Sequence, residues 1–343
     1  MKKKLKKYAL PLSIAICIGT IYLCTLTGIT TISFGDANKI LLNQIFHINL
    51  GMENINEGAT AIIWNVRLPR VILAFLTGGA LALCGAAYQG IFKNPMADPY
   101  ILGVSSGAAL GASIGIVMNF SSNFLGSNGV AILAFGGSFL TILLVYNISR
   151  VGRKVPVATL LLSGIAIGQS LGAFMSLLMI FNNDSMTQII FWVMGSLNGK
   201  GWDQVLIVLP YVVIGCVIML TSVRELDIML LGEETATQLG VDTEALKKKI
   251  LFSSSLITAA VVAATGIIGF VGLIVPHIVR MITGPKHRTL VPFSVLFGGA
   301  FLILCDTLAR SVTSQEIPVG VITAAFGGPF FVYLLRKRKK GGL

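Results

Sequence analysis

The chain has 343 residues, of which 55% are hydrophobic and only 12% charged, with 38 glycines and a formal net charge of +12. An ordinary soluble domain carries about 25% charged residues, so too few charges exist here to coat a water-facing surface, and a soluble globule is excluded. The excess of cations does not imply nucleic acid either, because they sit in short clusters between apolar runs, as membrane topology requires.

The first seven residues hold five lysines and lead into a charge-free run over 8–35. No small-residue cleavage site follows, so this run reads as a retained first span and not as a signal peptide. Further charge-free runs cover 71–92, 99–149, 155–183, 204–223, 250–279, 289–305 and 317–335. A crossing takes about 20 apolar residues, so the run 99–149 must hold two spans, divided at the polar stretch 119–129.

The run 250–279 carries Gly266, Gly269, Gly272 and Pro276, which either kink one helix or separate a full span from a short one. Orientation decides between them. Counting two spans gives ten crossings and puts 21 of the 26 lysines and arginines on one face, leaving Lys39, Arg67, Arg70, Lys200 and Arg310 on the other. That agrees with the positive-inside rule and places both termini in the cytoplasm. The eighth span, about 271–284, is then too short to cross alone and reads as a half-helix shielded inside the bundle. Helices two to five (about 61–183) and seven to ten (about 246–336) become two four-helix sets of opposite orientation, the arrangement of an inverted repeat. The expected fold is one all-α polytopic membrane domain over 1–343.

Several chemistries are missing. There is no G-x-x-x-x-G-K-[ST] phosphate loop and no H-E-x-x-H, and the three histidines are dispersed, so the chain is neither an ATPase nor an evident enzyme or metal site. The five cysteines lie within apolar runs and read as small buried hydrophobes. No ionisable residue stands mid-membrane to bind a coupling ion, which disfavours an ion-gradient-driven secondary transporter of a small polar solute, the alternative from another class.

Glycine recurs with helical period. Gly103, Gly107, Gly111 and Gly115 form one stripe, and Gly164, Gly168 and Gly172 another, flanked by Ser163 and Gln169. Such stripes bring helix backbones close together. They pack one bundle tightly, or they line a seam past which a hydrophilic cargo moves. In the charge-rich segment 224–249, Glu233 and Glu234 suit a helix N-terminus, Ala236 and Leu239 form a small apolar face, and Gly240 stops the helix. It is either a solvated loop or an apolar knob for a soluble partner's groove. On the opposite face, Arg67, Arg70 and Arg310 suit capture of carboxylates. Asp306, one helical turn before Arg310, offers that residue local neutralisation, and no local acid is in reach of Arg67 and Arg70.

The segments RLPR (67–70), GGALALCGAAYQ (78–89), KNPMADPYILGVSSGA (93–108), GSLNG (195–199), LGEETATQLG (231–240), GFVGLIVPHIVR (269–280), DTLAR (306–310) and EIPVGVITAAFGGPFF (316–331) resemble, in the same order, the signature segments of permease subunits of type II ABC importers. Members of that family import iron-siderophore complexes, haem and cobalamin. The resemblance implies ten helices per subunit and a homodimer with the translocation path on its axis. It implies two cytoplasmic ATP-binding subunits that hold ATP and Mg, so that this chain binds no cofactor itself. It further implies an extracytoplasmic binding protein that presents carboxylates to Arg67, Arg70 and Arg310. By the same resemblance Leu231, Gly232, Ala236, Leu239 and Gly240 belong to the helix that sits in the ATPase cleft. The cargo is expected to be a metal chelate or corrinoid, the location the cytoplasmic membrane, and nucleic acid is not an expected partner.

Overall fold

The computed structural model describes residues 2–28, 30–48, 55–120, 128–152, 154–312 and 316–339. Helix α1 (Lys2–Leu26) stops short of the end of the charge-free run at 35. Gly28, just beyond it, lies against the Arg67 guanidinium, which leaves no room for a side chain there. The run instead continues into a second helix, α2 (Phe34–Phe46), whose N-cap Ser33 accepts a hydrogen bond from the Asp36 amide at 3.1 Å. Next, α3 (Glu57–Ala61) passes through a π-helical turn, Ile62–Arg67, into α4 (Leu68–Ile91). Pro69 in the first turn of α4 has no N–H to donate, which favours such a wide turn just ahead of it.

The remaining helices are α5 (Val104–Val117), α6 (Gly129–Ser149), α7 (Val157–Phe181), α8 (Asn183–Val193), α9 (Trp202–Thr221), α10 (Val223–Met229), α11 (Glu233–Gln238), α12 (Thr243–Thr265), α13 (Val271–Thr283), α14 (His287–Ser311) and α15 (Val319–Lys339). Part of the turn expected over 119–129 lies outside the described residues. Seven helices among the described residues are long and apolar enough to cross a membrane, and α5, α13 and the 319–333 part of α15 are shorter apolar helices. At 13 residues α13 spans only about 20 Å of a hydrocarbon core near 30 Å. Helix α5, with 14 residues, is equally short, which the unbroken run over 99–149 conceals. Helix α8 also goes unread in the sequence, because the uncharged stretch between Asp184 and Lys200 is too short to be taken as a crossing.

Helix α4 is the axis of the bundle, packed against α1, α9, α12, α13 and α14. It crosses α14 without side chains between the two backbones: a Cβ on Gly298 would lie 2.5 Å from the Gly78 carbonyl oxygen and 2.6 Å from the Ala82 Cβ, and a Cβ on Gly78 would collide with Gly298 in return. Gly85 meets Gly272 of α13 in the same way. The other close approaches correspond pairwise between the two four-helix sets. Helix α4 packs on α14 as α12 packs on α6, α5 on α6 as α13 on α14, α5 on α7 as α13 on α15, and α5 on α12 as α13 on α4. Both short helices start from a residue in the left-handed region, Gly103 at φ 76° and Phe270 at φ 69°.

A methyl group at the α4–α14 crossing has nowhere to go. Gly298→Ala is expected to lower stability by about 1–3 kcal/mol, as overpacking does, whereas Gly172→Ala, with nothing within 4 Å of its Cβ position, is expected to be neutral within about 0.5 kcal/mol. The thermal midpoints of both variants in detergent, followed by size-exclusion profile, check the contrast.

Candidate functional site

Three regions carry the residues singled out by the sequence. At one end of the bundle, Arg67, Arg70 and Arg310 converge, as the positive-inside exceptions suggest, but they turn inward and each is only 4–6% exposed. Arg67 donates from Nη1 to the Leu26 carbonyl at 3.1 Å and from Nη2 to that of Thr30. Arg310 donates from Nη1 to the Thr27 carbonyl at 2.8 Å and from Nη2 to that of Cys24. These two arginines therefore bind the carbonyls freed where α1 ends, and the cationic groups suit that helix C-terminus.

Arg70 has acidic partners that local sequence does not reveal, 236 and 246 residues away. Its Nε and Nη2 form a fork on the Asp306 carboxylate at 2.9–3.1 Å, and its Nη1 donates to Glu316 at 2.8 Å. The expectation that Asp306 serves Arg310 is corrected in part. Asp306 is bound bidentately by Arg70, and the Arg310 Nε stands farther off at 3.7 Å. The register of α4 against α14 explains why: Arg70 is eight residues before Gly78 and Asp306 eight residues after Gly298 on antiparallel helices, so both stand about 12 Å from the crossing at the same level. Glu316 went unnoticed in the sequence, although as an acid just ahead of an apolar run, on the same face as two unmatched arginines, it was the signal to follow.

At the other end, α11 runs from Glu233 to Gln238 between Gly232 at φ 130° and Gly240 at φ 84°, both conformations that suit glycine. Its apolar face differs from the expected one. Ala236 is completely buried within the chain, while Leu239 is 58% and Leu231 67% exposed. Ala236 thus anchors the helix and the two leucines form the outward knob. Lys247 of α12, itself buried, donates to Glu233 and, at 3.0 Å, to Glu244, and Glu244 in turn accepts the Val155 amide at 3.0 Å ahead of α7. The preceding helix α10 is tied in as well: the Asp227 carboxylate accepts the His287 amide at 2.6 Å at the start of α14, and it pairs with the His287 ring Nδ1 at 2.9 Å. The His287 ring lies against Gly90 of α4.

Between the two ends lies the glycine seam, which divides into tight and loose parts. Gly107 and Gly111 of α5 press on the α6 backbone at Gly137 and Leu133. On α7, a Cβ at Gly164 would stand 2.7 Å from the Ile101 carbonyl oxygen, but one at Gly168 would have an ordinary 3.4 Å contact with Ser106, and Gly172 faces open space. Of the two readings left open by the sequence, tight packing therefore holds at Gly107, Gly111 and Gly164, and the seam loosens at Gly168 and Gly172. Beside it a groove of about 250 Å³ is lined by Tyr100, Gly103, Ser106, Gly164, Gly168 and Gln169. Ser163, one residue before Gly164, stands outside that lining. The loop that lines one side of the groove also contains Asp98, whose carboxyl is pushed up to about 6 by burial, with the Tyr100 amide hydrogen bond pulling the other way. Among the described residues no group of three His, Cys, Asp or Glu side chains could hold a metal ion.

A bundle of long and half-length apolar helices with charge networks at its two ends is a multi-pass membrane protein, and comparison with known proteins narrows the class. The chain belongs to the FecCD transport family, whose model matches residues 16–337. It is 47% identical over 285 residues to the cobalamin import system permease protein BtuC of Halobacterium salinarum, covering 83% of this chain and 76% of that one. It is 39% identical over 312 residues to the hemin transport system permease protein HmuU of Yersinia pestis, covering 90% and 93%. A solved chain described as an inward-facing conformation of a metal-chelate type ABC transporter superposes with a TM-score of 0.82 at 30% identity, over 96% of this chain and 99% of that one. The chain is thus a permease component of the ABC importer type.

Removing the Arg70 fork leaves Asp306 buried without its main partner. Arg70→Ala is expected to cost about 3–5 kcal/mol, whereas Arg70→Met combined with Asp306→Leu, which removes both charges, is expected to recover most of that loss. Thermal midpoints of the single and double variants measure the difference.

Proposed function

We propose that this chain is the membrane half of an ATP-driven importer that passes an iron chelate, haem or a corrinoid from an extracytoplasmic binding protein to the cytoplasm. It does so as a pair of identical subunits, each with ten crossings built on an inverted repeat, in the cytoplasmic membrane with both termini inside. The observation that carries the reading is the construction of α11. A short helix holds its two exposed leucines outward, and its other face is tied through Lys247 to α12. A solvated loop needs no such brace. A helix that must transmit a push does.

The chain supplies no covalent chemistry in this reading. Two partner ATPase subunits bind ATP and Mg, and closure of their dimer presses on Leu231 and Leu239. Ala236 and Glu233 pass the displacement to α12, and Asp227 passes it through His287 to α14. The cargo path follows the groove beside Gly168 and Gln169, where a half-open seam offers polar atoms without a strong binding site.

At the arginine end the binding protein docks over Arg67, Arg70 and Arg310. Arg70 is held by two carboxylates, and Arg67 and the Arg310 Nη groups by backbone carbonyls, so docking proceeds by exchange. Glu316, at 24% exposure the most accessible acid of the network, gives up the Arg70 Nη1, and a carboxylate of the binding protein takes its place. Electrostatic complementarity then steers the encounter.

Two experiments test this. Leu231→Glu with Leu239→Glu is expected to leave membrane insertion intact and to detach a co-expressed ATPase during purification. Unchanged cargo-stimulated ATP hydrolysis in proteoliposomes would make α11 a solvated loop. Glu316→Gln is expected to tighten binding-protein affinity in nanodiscs several-fold and to steepen its salt dependence, since the internal competitor is lost and the docking face gains one net positive charge. An unaltered affinity would remove the exchange.

A further inference from the structure

Away from both end networks and from the α7 seam, α6 and α9 splay apart over the small residues of α12. Their outward residues, Leu140, Leu144 and Ile148 on α6 and Leu206, Val213 and Val217 on α9, are apolar and exposed, as lipid-facing positions are. Between them lies a cavity of about 300 Å³ whose floor is Ala260, Ala263 and Ala264 and whose inner end is closed by Phe135 and Tyr211, with ring centroids 5.8 Å apart. A second cavity of about 360 Å³ adjoins it, walled by Phe191 and Trp192 of α8. Lys200, Ala131 and Ala263 line both.

Lys200 is one of the five cations on the sparsely charged face. It sits just before the N-terminus of α9, and its ammonium has neither a carboxylate nor a hydrogen-bond partner among the described residues. Burial pushes its pKa down. The polar side chains near it, Gln188, Ser196, Asn198 and Gln204, are all neutral. All three tryptophans of the chain lie at this end. Trp64 and Trp202 are in contact at 5.4 Å, and Trp192 faces the cavity. Tryptophan collects at the headgroup level of a bilayer. The site therefore has a cation and neutral hydrogen-bonding groups at headgroup depth, and an apolar trough running from them toward the membrane centre.

We propose that this trough holds one anionic phospholipid, its phosphate on Lys200 and one acyl chain along the alanines of α12 between α6 and α9. A soluble protein partner fits poorly, because the trough opens between two lipid-facing helices. A zwitterionic lipid would bring its own cation to Lys200 and gain less from it. The lipid would brace α12 from the side opposite α4. Helix α12 is also the helix that Lys247 ties to α11.

The test is native mass spectrometry of the full chain, purified from nanodiscs of equal dioleoyl-phosphatidylglycerol and dioleoyl-phosphatidylcholine. Wild type is expected to retain one phosphatidylglycerol in preference to phosphatidylcholine. Lys200→Gln is expected to lose about fivefold in that preference, the factor one basic residue contributes at an anionic surface, and Lys200→Arg to keep it. Ala263→Phe, which fills the trough and leaves the charge, is expected to lose retention of both lipids, with a normal size-exclusion profile showing that the fold survives. sn-Glycerol 3-phosphate, the headgroup without chains, is expected to displace nothing. Equal retention of the two lipids by wild type, an unchanged preference in Lys200→Gln, or displacement by glycerol phosphate would each overturn the proposal.

Discussion

The α4–α14 crossing fixes the rest of the molecule. Two glycines, Gly78 and Gly298, put bare backbone against bare backbone, and with no side chains between them the helices can neither slide nor rotate without collision. Once that point is set, helical rise alone places every other pair along the two antiparallel axes. Arg70 arrives opposite Asp306 at one end, and Gly90 arrives against His287 at the other. In a membrane, apolar surfaces gain little from meeting each other, because lipid is as apolar as leucine, so close backbone packing and buried polar contacts must hold helices together. Both meet on this one pair.

The two ends differ in what their charges accomplish. At the arginine end the guanidiniums knit the C-terminus of α1, the N-terminal turn of α4, the end of α14 and the approach to α15 into one block. At the α11 end single bonds join separate elements: Glu233 to α12, Glu244 to the start of α7, Asp227 to the start of α14. A block transmits force as a rigid body, whereas single bonds define lines along which a push divides. Pressure on α11 therefore reaches three different helices of the bundle, and two of them, α12 and α14, pack directly on α4.

Much of the fold was legible because lipid imposes a crude and strong rule on sequence. Charge-free runs became helices nearly segment by segment, and Gly266 with its neighbours marked the short helix α13. What failed shows the limit of that rule. The shortness of α5 was hidden because the segment ahead of it, from Asn94 to Gly103, carries no charge after Asp98 and so reads like membrane. It is in fact loop, held by the Tyr100 hydroxyl donating to the Ile268 carbonyl at 3.1 Å. The arginines were placed correctly at one end, but their orientation was not legible: partners 236 and 246 residues away depend on register, and register depends on which glycines touch. Ala236 was misassigned outward for a related reason. A six-residue helix has too few turns for periodicity to distinguish its buried stripe, and a small residue fits either face.

The glycine stripes carry the last step. Helix α5 is locked to α6 through Gly107 and Gly111, where added methyl groups would strike backbone, so these two helices behave as one body. Among the glycines of α7, only Gly164 is tightly enclosed, against the loop carbonyl of Ile101, and the packing loosens progressively at Gly168 and Gly172 along its length. A contact that is tight at one point and open on one side is a pivot. The end of α7 nearest that pivot follows Val155, whose amide is held by Glu244, and Glu244 shares Lys247 with α11. The short side of the lever is thus joined through Glu244 and Lys247 to α11, and the long side has open space beside it at Gly172. In the proposed coupling, a small displacement at α11 would become a larger one at the far end of α7, beyond the groove that Gln169 and Ser106 line.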